Sequence, residues 1–345
     1  MTHRLMIIAL ALVFFADSGS SYGLGSLKSA GSIFKKSEYV CVIRSIVDDA
    51  AGRLWAGTFG AGLLSFDGTG WKQIASASGG LPDSRISKLL IDDDGSLLIA
   101  TAGGGAIRYR SEVGLWQKLI DGDEPAARHF HAFAHPGSGS YLLGAVGEGV
   151  FISKGKSWLN LTEKDRLPSA WVNDALVEND GGVWLATWDG IARLAAGGRI
   201  ERVEMPESGW TDGNVNVIAS FAGDLWLGTA SGGLVRRSVA DGPGGKPVYK
   251  HISGVPAQVH ALLPHQGALW AATENGLYTI HAEAGAKPVE SGLDGSPAVT
   301  ALGTWKSRLV AGTDLGAIWM LENDGKWCNI FKFQKDIPLT GGCSR

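Results

Sequence analysis

Apolar residues along this chain come in short runs, each broken after a few positions by glycine or a polar turn, rather than in the three-and-four spacing of a long amphipathic helix. Short strands are predicted. One run recurs as a pentamer: LWAGT ending at Thr58, LLIAT at Thr101, YLLGA at Ala145, VWLAT at Thr187, LWLGT at Thr229, LWAAT at Thr273 and LVAGT at Thr313. The intervals are 43, 44, 42, 42, 44 and 40 residues. Upstream of the pentamers lie apolar pairs three positions apart, as in Ile43/Ile46, Ile86/Leu89, Val215/Ile218, Val259/Leu262 and Val299/Leu302, which we name strand A. Polar glycine turns such as Asp49 to Gly52, Asp92 to Gly95 and Glu178 to Gly181 separate strand A from the pentamer, strand B, and supply hairpin chemistry.

Downstream, glycine followed by an apolar residue opens strand C at Gly62, Gly105, Gly149, Gly190, Gly233, Gly276 and Gly316. A strand D follows at Trp71, Trp116, Trp158, Ile200, Val248, Val289 and Trp327. Four strands every ~43 residues are the period of one propeller blade, because such a blade buries its faces only against its neighbours. The prediction is an all-β, seven-bladed β-propeller of four-stranded antiparallel blades over residues 41–333. The repeated Trp55, Trp184, Trp226 and Trp270, at one register of strand B, read as packing between blades. So do the threonines that end strand B.

Composition agrees with many strands and tight turns: 50 Gly, 13 Trp and 19% charged residues. A net charge of −3 without long Lys/Arg runs argues against nucleic acid as a partner. At the N-terminus, His3 and Arg4 precede an apolar run from Leu5 to Phe15 and then small residues, the pattern of an export signal. The expected layout is a signal peptide over 1–20, an extension over 21–40, the ring, and a closing tail over 334–345. Export predicts a periplasmic or secreted protein with no transmembrane span once the signal is removed, and permits disulfides. No cofactor is expected. Asp92, Asp93 and Asp94 read as turn chemistry, since the chain lacks a twelve-residue calcium loop ending in glutamate.

The unit D-x-x-G-x-L-W-x-G-T-x-x-x-G-L at Asp49 to Leu63, with a following Trp strand and a G-L-P link at Gly80 to Pro82, resembles the two-component regulator propeller repeat over about residues 41 to 332. That resemblance implies a blade architecture associated with ligand sensing, usually in the periplasmic part of hybrid kinases. The chain has a single ring of repeats and no kinase motif, so what carries over is architecture.

Strand order puts the D-to-A links and B-to-C loops on one face, the top, around a central channel. The position before strand A is expected to hold Val42, Arg85, Arg128, Trp171, Asn214, Gln258 and Ala298, and the position after its first apolar residue Arg44, Ser87, Phe130, Asn173, Asn216, His260 and Thr300. The B-to-C loops add Trp188 and Asp189, a pair that could grip a sugar ring. The candidate binding set is therefore Arg44, Arg85, Arg128, Trp171, Asn173, Trp188, Asp189, Asn214, Asn216, Gln258 and His260, facing a small polar or anionic ligand or an envelope protein. Polar residues bordering a water-filled channel need no ligand, which is the competing structural reading. A second class is a lyase or hydrolase centred on His129, His131 and His260, with Glu178 as a further candidate, possible as a metal site or as acid–base machinery. Finally, the last blade supplies its own strand D, so closure needs another device. Counting residues places Cys343 beside Cys41, predicting a Cys41–Cys343 disulfide with Cys328 left over; Cys328–Cys343 is the rival.

Overall fold

Twenty-eight short strands, one after another, pair only with their sequence neighbours and form seven four-stranded antiparallel sheets. The computed structural model describes residues 41–332 apart from 76–79, 121–128, 138, 156, 204, 207–208, 211, 240–245, 282–284 and 294–297. The expected signal peptide, N-terminal extension and closing tail lie outside the described residues. No helix among the described residues is long and apolar enough to cross a membrane.

The seven A strands are Val42–Asp48, Ile86–Ile91, Phe130–Gly137, Val172–Val177, Val215–Phe221, Val259–His265 and Val299–Trp305. Each pairs with its own strand B alone and packs beside the A strands of the two flanking blades, the last against the first, so they form the inner wall of a closed ring. The pentamer sequence explains this approach. A methyl group on Gly57, Gly144, Gly228 or Gly312 would lie 2.4–2.6 Å from Ile86, Val172, Val259 or Ile43, the residue of the next blade's inner strand that pairs with the end of that blade's pentamer. Glycine, or buried alanine at Ala100, Ala186 and Ala272, leaves that room. The terminal threonines are structural as expected: Thr58, Thr101, Thr187, Thr229 and Thr273 each donate a hydrogen bond to the carbonyl of the glycine that ends the B-to-C loop, at 2.8–3.0 Å. The sixth blade's strand D ends at Pro288, one residue short of Val289.

Blade 7 completes its sheet with Trp327–Lys332, so among the described residues no strand is shared between the first and last blades. An aromatic seam closes the ring instead. Trp305 leans on Phe66, Phe66 stacks on Trp71, and Trp71 meets Phe331, with ring centroids 5.1, 4.9 and 4.8 Å apart. Trp71 Nε1 donates to Ile330 O at 2.8 Å, and Trp305 Nε1 to Gly52 O at 2.8 Å, so each indole buries its ring without stranding its N–H. Cys41 is sealed in this cluster, 4% exposed, as a free thiol whose pKa burial pushes up to about 11 against a hydrogen bond with Thr58. The expected Cys41–Cys343 pairing is therefore corrected: a thiol enclosed by the seam is out of reach of a tail partner. Cys328, expected to be the spare, is disulfide-bonded. Cys343, the partner in both pairings the sequence offered, lies outside the described residues.

Candidate functional site

Every inner strand carries the same irregularity near its top end. The register slips by one residue between Ile43 and Ser45, Ile86 and Lys88, Phe130 and Ala132, Val172 and Asp174, Val215 and Val217, Val259 and Ala261, and Val299 and Ala301. A bulge leaves its extra residue outside the ladder and re-aims the side chain. The seven bulged residues are Arg44, Ser87, His131, Asn173, Asn216, His260 and Thr300, one per blade at one height of the wall. In blade 3 the first paired residue is Phe130, fully buried and opposite Ala145, so Phe130 does not belong to this ring as expected; His131 does. The position before the strand is His129 rather than Arg128, and Arg128 lies outside the described residues. The three-residue run His129-Phe130-His131 allowed either alignment, and burial of the phenyl ring decides it.

Four bulged residues have a plain structural task. Asn173 Nδ2 donates to Val215 O at 2.8 Å, Asn216 Nδ2 to Val259 O at 3.1 Å, Thr300 Oγ1 to Ile43 O at 2.6 Å, and Ser87 Oγ to Phe130 O. Each acceptor is the residue of the next blade's inner strand that pairs with the end of that blade's pentamer. These bonds latch blade to blade, the last one across the chain ends, and account for much of the polarity of the wall. Asn173 and Asn216, candidates for ligand contact, are thus occupied, and Asn214 accepts from Asn173 at 3.0 Å.

Above the bulges, in blades 2 to 7, the residue before the inner strand accepts a backbone hydrogen bond from the first residue after strand B of the same blade: Arg85 from Ala102, His129 from Val146, Trp171 from Trp188, Asn214 from Ala230, Gln258 from Glu274 and Ala298 from Asp314, at 2.8–3.3 Å. This pairing brings the two predicted sets together, backbone to backbone, at one end of the inner strands. It also stacks Trp171 on Trp188, with centroids 4.2 Å apart and planes 28° apart, while Trp188 remains 38% exposed. Its neighbour Asp189 reaches Arg202 at 3.3 Å, Arg85 is held by Asp83 at 2.8 Å, and Gln258 N donates to Glu274 Oε1 at 3.4 Å.

Below the bulges, Lys88 of blade 2 reaches past blade 3 to Asp174 of blade 4, Nζ to Oδ1 2.8 Å. Asp174 also accepts from Ile218 N at 3.2 Å. Between mouth and ion pair, the remaining bulged residues are Arg44, His131 and His260. Burial lowers the Arg44 pKa from its ordinary value. Burial first, and then the charge of Arg44, push His131 and His260 down to about 4, with His129 adding to the effect on His131. His129 itself is lowered by burial and by Arg85, against Asp83. The charge of Arg44 thus reaches both His131 and His260, whereas Glu178 binds Arg193 at 2.6 Å beside the opposite, lower turn.

That lower face holds a feature the sequence reading passed over. His135 Nε2 lies 3.2 Å from Asp92 Oδ1 and 2.9 Å from Asp93 Oδ2, its Nδ1 faces Ser140 O at 2.7 Å, and Arg108 pairs with Asp92. The arginine already neutralises the buried carboxylate, so the turn needs no metal. Two open grooves, about 470 and 290 Å³, lie between adjacent blades, the larger lined by Arg53, Trp55, Tyr109 and Lys72.

No protein-family model matches the chain, and none of the curated proteins does. Among solved structures, it is similar to the extracellular domain of the hybrid two-component system BT4673 from B. thetaiotaomicron, at 22% identity over 83% of this chain, with a TM-score of 0.67. The extracellular domain of the hybrid two-component system BT3049 from the same organism matches at 18% identity over 82% of this chain, TM-score 0.67. The chain spans about two fifths of the length of those domains, 38% and 39%. Virginiamycin B lyase from Staphylococcus aureus matches at 14% identity, covering 81% of this chain and 94% of the lyase, TM-score 0.65. At these identities the shared property is the fold, a ring of seven four-stranded blades.

Proposed function

We propose that this chain is an exported, non-enzymatic binding propeller of the sensor type, which takes a small polar ligand at the top-face channel mouth. The observation that carries the reading is the Trp171–Trp188 stack. A tryptophan held flat on another by backbone pairing, yet 38% exposed at the rim of a channel, contributes little to the core and offers a rigid surface for a ring or planar group. The export-signal pattern at Leu5 to Phe15, and the likeness to extracellular domains of two-component systems, support placement outside the cytoplasm. The electrostatics favour binding over catalysis. Held near a pKa of 4, His131 and His260 are weak bases at neutral pH, and the charges that act on them are positive rather than those of an orienting carboxylate. The test is the position of any small molecule retained by protein purified from its native host, which this reading puts against Trp188 at the mouth.

A further inference from the structure

We propose that the bulge layer of the channel, at Arg44, His131 and His260, is a carboxylate-binding site that takes one carboxylate group of a small organic acid entering from the top face. The inference rests on the channel mouth being the binding face and adds the chemical class of what binds.

The seven bulges set seven side chains at one height, and the ring divides by chemistry. Four short polar side chains reach the neighbouring blade's carbonyl, while the other three positions carry the basic side chains Arg44, His131 and His260. The charges around them are already matched: Lys88 by Asp174 beneath, Arg85 by Asp83 above. Arg44 is the exception. Among the described residues no carboxylate lies within ion-pairing distance of it, and its contact is the face of Phe59, 5.5 Å from the ring centroid. A half-buried guanidinium in that state carries a desolvation cost that an anion would offset. A metal cation would meet the opposite situation, with Arg44 repelling it and no acid in the layer to hold it.

The net charge selects among anions. One arginine beside two neutral imidazoles presents a single positive charge and a forked set of N–H donors. That matches a carboxylate, which takes a guanidinium bidentately, better than a phosphate dianion. The Lys88–Asp174 bridge crosses the channel below, so the ligand enters past Trp188. Burial is the larger cause of the depressed His131 and His260 values, and a carboxylate against Arg44 cancels the smaller share that the arginine's charge adds. Binding then draws in protons and strengthens as pH falls toward 5.

The experiment is calorimetric titration of the full chain with acetate, malonate and citrate, each beside its neutral amide, at pH 7 and pH 5.5. At least one acid should bind while its amide does not, more tightly at pH 5.5. Arg44→Gln should weaken it at least about tenfold, the loss expected when a hydrogen bond to a charged group is removed. Arg44→Lys, which keeps the charge and loses the fork, should fall between and guards against a folding defect in the glutamine variant. Binding should also move the imidazole nitrogen resonances of His131 and His260. The inference is overturned if none of the acids binds, if an amide binds as well as its acid, or if Arg44→Gln binds unchanged. A native-host molecule retained at Trp188 together with any of those outcomes sinks the carboxylate site alone and leaves the mouth as the binding face.

Discussion

Acidification from pH 7 to pH 4.5 should weaken this fold in a window set by its buried histidines, with Asp314, whose pKa burial raises, acting the other way. His131 and His260 have ordinary values of 6.5 and are pushed to about 4 in the folded chain. Between those limits the unfolded chain binds two protons that the folded chain refuses, so stability falls as pH falls from 6.5 and levels off below 4. A drop of about 2.5 units corresponds to a ceiling of about 3 kcal/mol per histidine, and water in the channel reduces this to about 1–2 kcal/mol each. Together that is a large share of the 5–15 kcal/mol typical of a folded domain. Asp49 and Asp94, lowered in the fold, hold their contribution until pH falls through their own values below 3.8, so they stay silent above pH 4.5. His135 acts the other way. Burial alone would lower it, but Ser140, Asp93 and Asp92 raise it, so its contribution is present below 6.5 and lost as pH rises through its folded value. Urea unfolding at half-unit steps from pH 7.5 to 4.5 measures the slope. The double variant His131→Gln/His260→Gln should flatten it. A wild-type curve that is level from pH 6.5 to 4.5, or a double variant with the same slope, would refute the electrostatic picture of the channel.

The seam and the thiols give two further checks. Trp71→Phe keeps the aromatic packing against Phe66 and Phe331 but removes the bond to Ile330 O, and should cost about 1–3 kcal/mol in urea unfolding; an unchanged midpoint would mean the seam does not hold the ends. Non-reducing peptide mapping should recover Cys328 in a disulfide peptide and Cys41 as a thiol alkylated only after unfolding; a disulfide peptide containing Cys41 would contradict its burial in the seam.

Blade number and strand order were legible because the repeat states them physically. A glycine or alanine followed by threonine at the end of strand B is required wherever the next inner strand comes close, and that requirement recurs in the pentamers. The bulges had no such signature. Nothing in Ile43-Arg44-Ser45 or Val259-His260-Ala261 distinguishes a bulged residue from a paired one, so the candidate ring was found but its division into latches and basic side chains was not. Blade 3 slipped by one because its pentamer ends in Ala145 instead of threonine, and two histidines flank Phe130. The disulfide was misplaced because counting residues gives the reach of a tail, not the accessibility of its target. Cys41 is two residues from the expected meeting point and still enclosed by Trp71, Phe331 and Ile330.

The central claim is that ligands meet this ring at the top of its channel. A crystal structure of protein purified from its native host, without added ligand, tests it most directly. The account predicts density for a small molecule lying against Trp188 and extending down toward Arg44. Density in the groove between blades 1 and 2, beside Trp55 and Tyr109, with only water above the bulge ring, would contradict it.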